Sequence, residues 1–151
     1  MLVSDYRRYS DREVALSEVD ADTIETFQRI YSALQRGDWE ELRISLAHDI
    51  EWSSPDTLPW GGTRHGHDGV ETFAQLFADH VDGFWADPDD YFVADNCVIV
   101  LGRISGTAHE SGRTFEVPFA HVWTLDDGVP RRFRAFFDTA PIQAALAGTG
   151  E

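Results

Sequence analysis

The period of the hydrophobic pattern changes once along this chain, and that change dictates how its layers can be built. Up to about His80 apolar residues recur at helical spacing; after Gly83 they follow the shorter rhythm of strands and turns. Before the change, Ile24, Phe27, Ile30, Tyr31 and Leu34 share one helical face, opened by Asp20-Ala21-Asp22-Thr23 and closed by Gly37. Asp38 starts a second helix carrying Trp39, Leu42, Ile44 and Leu46, and residues 50–53 read as a short strand stopped by Ser54-Pro55. The Pro-, Gly- and Thr-rich stretch 56–66 reads as a loop. Asp68 and Glu71 have capping-box spacing ahead of a third helix, with Val70, Phe73, Leu76, Phe77 and His80 on its inner side. Strands follow at 91–94, 97–105, 114–125 and 131–139, with Asp126-Asp127-Gly128 as a hairpin turn and a short helix at 141–146. Helices followed by a strand meander predict an α+β fold, the helices covering one face of an antiparallel sheet.

With 151 residues the chain fits one domain. Residues 1–20 are charged and weakly periodic and read as an N-terminal arm; residues 21–147 are the domain. A 42% hydrophobic and 13% aromatic composition supplies a core without disulfides. The lone Cys97, in the run Cys97-Val98-Ile99-Val100-Leu101, reads as a small core hydrophobe. No signal-peptide-like segment and no 18-residue apolar stretch is present, so a cytoplasmic protein with no membrane partner is expected. The formal net charge of -15, with every basic residue an Arg, repels phosphate backbones and anionic lipid and disfavours nucleic-acid binding. A lysine-free acidic composition suits a saline cytoplasm and points to a halophilic source, with a GC-rich genome that replaces Lys by Arg as the alternative.

The words Tyr31-Ser32-Ala33-Leu34-Gln35-Arg36-Gly37-Asp38-Trp39, Ala47-His48-Asp49-Ile50-Glu51-Trp52, Val100-Leu101-Gly102-Arg103, Pro118-Phe119-Ala120-His121-Val122-Trp123-Thr124 and Phe133-Arg134-Ala135-Phe136-Phe137-Asp138-Thr139 carry a resemblance. In this order they resemble the SnoaL-like and ketosteroid-isomerase-like proteins of the NTF2-like superfamily, over roughly residues 21–147. The resemblance implies a cone: a curved sheet wrapped around a long helix, with one central pocket. It does not fix an activity, because this fold hosts isomerases, dehydratases, cyclases, epoxide hydrolases and non-catalytic binders. Steroid isomerisation needs a carboxylate base and an oxyanion hole of Tyr and protonated Asp. Carried over, those positions fall on Ser54, Ile30 (with Tyr31 beside it) and Ala120, so a steroid isomerase is not expected.

Alternation on the aligned strands places Ile99, Leu101, Arg103 and Ser105 on the pocket face, with Pro118, Ala120 and Val122, then Phe133, Ala135 and Phe137. Trp52 and Ser54 join them from the first strand, and Tyr31 from the long helix. Arg103 then either pairs internally with Asp138 or Glu51, reaches the rim, or clamps an anionic or carbonyl-bearing ligand with its donor fork. Phe119, His121, Trp123, Arg134, Phe136 and Asp138 are expected on the opposite face, as the core of a homodimer interface. His121 is structural there; a one-residue slip brings it into the pocket as a general base oriented by Asp138. His65 and His67 form an H-x-H without a third ligand at suitable spacing, which reads as a loop feature and not a zinc site. Trp60-Gly61-Gly62 is either a lid or an ordinary loop. No phosphate loop, dinucleotide fingerprint or nucleophile elbow occurs, so no cofactor is expected. Two functions stay open: a cofactor-independent lyase, isomerase, cyclase or hydrolase acting through Arg103, His121 and Asp138 on a small carbonyl compound, or a non-catalytic binding or dimerisation module.

Overall fold

A computed structural model describes residues 18–148. The arm expected over residues 1–20 therefore falls, up to residue 17, outside the described residues. Helix α1 (Glu18–Arg36) is followed by α2 (Trp39–Ile44), β1 (Glu51–Ser54), β2 (Gly62–His65), α3 (Gly66–His80), β3 (Val81–Ala94), β4 (Cys97–Ala108), β5 (Thr114–Asp126), β6 (Val129–Phe137) and α4 (Ala140–Ala147). The six strands form one sheet in the order β2-β1-β6-β5-β4-β3. All neighbours are antiparallel except β1 and β6, which run parallel. The sheet is therefore mixed where a purely antiparallel one was expected.

Local chemistry explains most of the elements. Phe27, Ile30, Tyr31 and Leu34 are the buried stripe of α1, as their spacing requires. The Asp38 side chain accepts from the Glu41 N–H and caps α2, which ends at Ile44, a residue left 71% exposed. The loop expected over 56–66 contains a strand, since β2 pairs back on β1 from Gly62 to His65. Helix α3 starts at Gly66, ahead of the proposed Asp68 cap, and Asp68 instead lies in its first turn, where its charge suits the helix dipole.

The third strand is far longer than the 91–94 segment the sequence marked. Its register shifts between Asp82 and Trp85 and between Pro88 and Asp90, and such bulges bend and twist a sheet. Opposite the second shift, Gly102 turns inward. A Cβ there would sit 2.3 Å from the Asp87 carbonyl oxygen and 2.7 Å from the Phe119 ring, so only glycine lets the strands approach this closely. One inward row crosses four strands in register: Val98, Trp123, Phe133 and Trp52, all buried. Helices α1 and α3 cover this face, and among the described residues no helix is long and apolar enough to cross a membrane.

Candidate functional site

Between the helices and the inward face of the sheet lies an aromatic cavity. Trp52 and Ser54 from β1, Trp60 from the β1–β2 loop, Phe73 and Phe77 from α3, and Phe133, Ala135 and Phe137 from β6 form much of its wall. The space open to the centre of a water molecule is about 60 Å³. One water needs roughly 10–15 Å³ on that measure, so the chamber holds a small group of atoms. A more open depression of about 430 Å³ shares Ser54, Ala135 and Phe137 with it.

Among the described residues His121 is the only ionisable side chain in the cavity wall. It is 6% exposed, and its Nδ1 shares a hydrogen bond of 2.7 Å with the Tyr31 hydroxyl. The Trp123 indole N–H donates to the same hydroxyl at 3.1 Å. Aromatic packing fixes the imidazole: Phe119 stacks on it at 3.9 Å and Phe133 meets it edge-on at 4.9 Å. Burial disfavours the charged form and pushes the His121 pKa down to about 3. The same burial raises the Tyr31 phenol well above its ordinary value, with the Trp123 hydrogen bond opposing in part. Both groups are therefore neutral at pH 7.

The structure inverts the expected faces of β4 and β5. Val98, Val100, Gly102 and Ile104 point inward, and Leu101 and Arg103 point outward with Ile99. On β5, Phe119, His121 and Trp123 are buried, and Pro118, Ala120 and Val122 lie on the outer side. Arg103 pairs on that outer face with Glu116 at 3.4 Å, both side chains at least half exposed. Neither an internal pair with Asp138 or Glu51 nor a place in the cavity wall is found for it. Surface pairs of this kind contribute little. Arg103→Ala is accordingly expected to change stability by less than about 0.5 kcal/mol in urea unfolding; a loss of several kcal/mol would place Arg103 in a buried pair.

Asp138 is exposed, and its Oδ1 accepts from the Ala140 N–H at the start of α4. Its expected role as the group orienting His121 is taken by Tyr31. The face assignment for β6 holds, with Phe133 and Ala135 buried and Phe137 in the wall. Trp52 and Ser54 also line the cavity, and Tyr31 stands behind it. Ile30 and Ala120, the positions carried over from steroid isomerases, hold no hydrogen-bonding side chain, and their next neighbours in the chain, Tyr31 and His121, are the pair that meets.

Trp60 is 3% exposed and packs edge-on against Phe77 at 4.8 Å. A Cβ on Gly61 would lie 1.8 Å from the Pro55 carbonyl oxygen, so this loop is a fitted wall of the cavity. His65 is exposed near Glu51, and His67 Nε2 bonds to the Leu46 carbonyl. Among the described residues no three His, Cys, Asp or Glu gather as metal ligands.

Comparison with known proteins fits this architecture. The model of the SnoaL-like domain matches residues 27–141. An NTF2-like protein of unknown function from Burkholderia pseudomallei is similar at 31% identity and a TM-score of 0.77, covering 82% of this chain and 96% of its own. TerC, crystallised with polyporic acid, is similar at 26% identity and a TM-score of 0.76, covering 83% of this chain and 98% of its own. A SnoaL-like polyketide cyclase, so assigned provisionally, from Jannaschia sp. shares the fold at 18% identity and a TM-score of 0.73, with coverage of 89% and 97%. No curated protein matches the sequence. The family model spans most of the domain, from Phe27 in α1 to the start of α4, and the chain belongs to the SnoaL-like family.

Proposed function

We propose that this protein binds a small, mostly apolar carbonyl compound in the aromatic cavity. The observation that carries the reading is His121, a buried neutral imidazole presented at a wall that is aromatic and aliphatic apart from Ser54. Apolar enclosure with a few fixed polar groups is the usual form of a small-molecule site. Trp52, Ser54, Phe133 and Phe137 shape the chamber, and Tyr31 holds His121 in place. A similar structure, TerC, was crystallised with a small organic compound, which also supports the reading. The anionic alternative loses its main support, because Arg103 lies on the other face. Among the described residues the lining contains no carboxylate to serve as a base, so the reading put forward is recognition ahead of turnover. A cofactor-independent lyase, isomerase, cyclase or hydrolase built on this site would have to use His121 itself to move the proton.

The homodimer expected through the outer sheet face rests on different residues from those first assigned. Ile99 is 37% and Phe136 51% exposed, and the Arg134 guanidinium lies 6.0 Å from the Phe136 ring centre. Leu101, Ala120 and Val122 lie half-buried on the same side. These replace Phe119, His121 and Trp123 as the interface candidates.

Native mass spectrometry on gently purified protein reads both proposals together. The expected result is a dimer carrying one small-molecule mass per chain, lost in Ala135→Leu, which fills the chamber. Protein that carries no added mass and quenches no tryptophan fluorescence with small ketones overturns the binding reading. A monomer overturns the interface.

A further inference from the structure

We infer that the cavity selects a neutral carbonyl oxygen, because a Trp123–Tyr31–His121 relay fixes His121 as the Nε2–H tautomer and leaves that N–H for the ligand. The inference rests on the binding reading above and names the chemical group that the site recognises.

The relay follows from counting protons. A tyrosine hydroxyl has one proton to give and two lone pairs to receive. An indole N–H can only donate, so Trp123 occupies one lone pair of the Tyr31 oxygen. The bond to His121 then has two forms. If Nδ1–H donated to the second lone pair, the tyrosine proton would be left without an acceptor inside the core, where an unmade hydrogen bond is costly. If Tyr31 donates to Nδ1, all three groups are satisfied. The proton of the neutral imidazole must then sit on Nε2. Nε2 has no hydrogen-bond partner among the described residues, while the ring lines the cavity.

Trp52 Nε1–H is buried without a hydrogen-bond partner among the described residues, and its ring lines the same wall. Both rings pack on Phe133, Trp52 stacked at 4.1 Å and His121 edge-on at 4.9 Å. Among the described residues the wall thus offers the His121 N–H and the Ser54 hydroxyl, with no carboxylate and no Arg or Lys. A carbonyl oxygen, with two lone pairs and no charge, completes such a site. A carboxylate would bring a full charge into a wall without a counter-ion, and an amine would face donors with its own donors.

Two measurements test this. Long-range 1H–15N correlation spectra of the wild-type protein at pH 7 should show a protonated Nε2 and an unprotonated Nδ1 for His121; the reverse tautomer overturns the relay, whatever the ligand. Titrations followed by tryptophan fluorescence then compare cyclohexanone, methylenecyclohexane and cyclohexanecarboxylate on the wild type and on His121→Phe. Loss of one neutral hydrogen bond should weaken cyclohexanone about fivefold and leave methylenecyclohexane nearly unchanged, with no binding of the carboxylate to either. Equal effects on ketone and alkene overturn the carbonyl reading and leave cavity binding standing. Failure of all three probes to bind the wild type overturns the cavity as a ligand site, and this inference with it. Should His121→Phe not fold, Tyr31→Phe serves in its place: it keeps the imidazole and releases its tautomer, and the ketone alone should weaken.

Discussion

Trp52→Ala is expected to cost the fold about 3–5 kcal/mol, the range for truncating a large buried aromatic side chain. Trp52 is 2% exposed and stands where three aromatic contacts converge: Phe133 at 4.1 Å, Phe73 at 5.4 Å and Trp123 at 5.9 Å. It also sits on β1, the strand that joins β2 to the rest of the sheet. Its indole N–H has no partner among the described residues, so no hydrogen bond is lost with the ring and the whole cost is packing. Trp52→Phe separates the two contributions. It keeps most of the stack, discards the unsatisfied donor, and is expected to cost under about 1.5 kcal/mol. Urea unfolding followed by circular dichroism measures both. A loss near 1 kcal/mol for the alanine variant would mean that the surrounding rings close over the gap, and that the chamber is deformable enough to take larger ligands.

The layers of this fold were legible because they follow from period alone. The apolar stripe of α1, the length of β5 and the turn at Asp126-Asp127-Gly128 appear in the structure where spacing and turn chemistry put them. The faces of β4 were not legible. From Val98 to Leu101 both faces are apolar, so alternation has no phase to report, and the phase taken from the family resemblance was off by one. Strand β5 did carry a local signal. Phe115, Val117, Phe119, His121, Trp123 and Leu125 are nearly all bulky, and Thr114, Glu116, Pro118, Ala120, Val122 and Thr124 are small or polar. A bulky face beside a helical layer belongs in the core. Taking Phe119 and Trp123 for an interface reversed that logic, and it sent His121 outward and Arg103 inward. The hydrogen bond between Tyr31 and His121 joins residues 90 positions apart and had no local signature. The β1–β6 parallel pairing and the pairing of β2 were likewise beyond period, because each is set by where the helices leave the chain.

The acid branch of the stability curve should be governed in large part by His121. In the unfolded chain its pKa is about 6.5, and in the folded protein burial lowers it to about 3. Between those values the unfolded state binds a proton that the native state refuses, so stability falls as pH falls, by about 1.4 kcal/mol per unit once below pH 6. Above pH 6.5 both states are neutral and the effect vanishes. His121 meets Tyr31 from α1 and Phe119 and Phe133 from the sheet, none of which carries charge in this range. Among the described residues no carboxylate is bonded to it that could hold the imidazolium inside. The expected comparison is between the wild type and His121→Phe, unfolded in urea at pH 7 and at pH 5. The wild type should lose about 2 kcal/mol more than the variant over that interval. Protonation of the surface carboxylates, which relaxes the repulsion behind the net charge of -15, affects both proteins alike and cancels in the difference. Equal losses would mean that His121 takes up its proton in the native state at an ordinary pKa. The imidazole would then have to be solvated or paired in the cavity, and the donor-lined chamber would present a cation where a neutral N–H is expected.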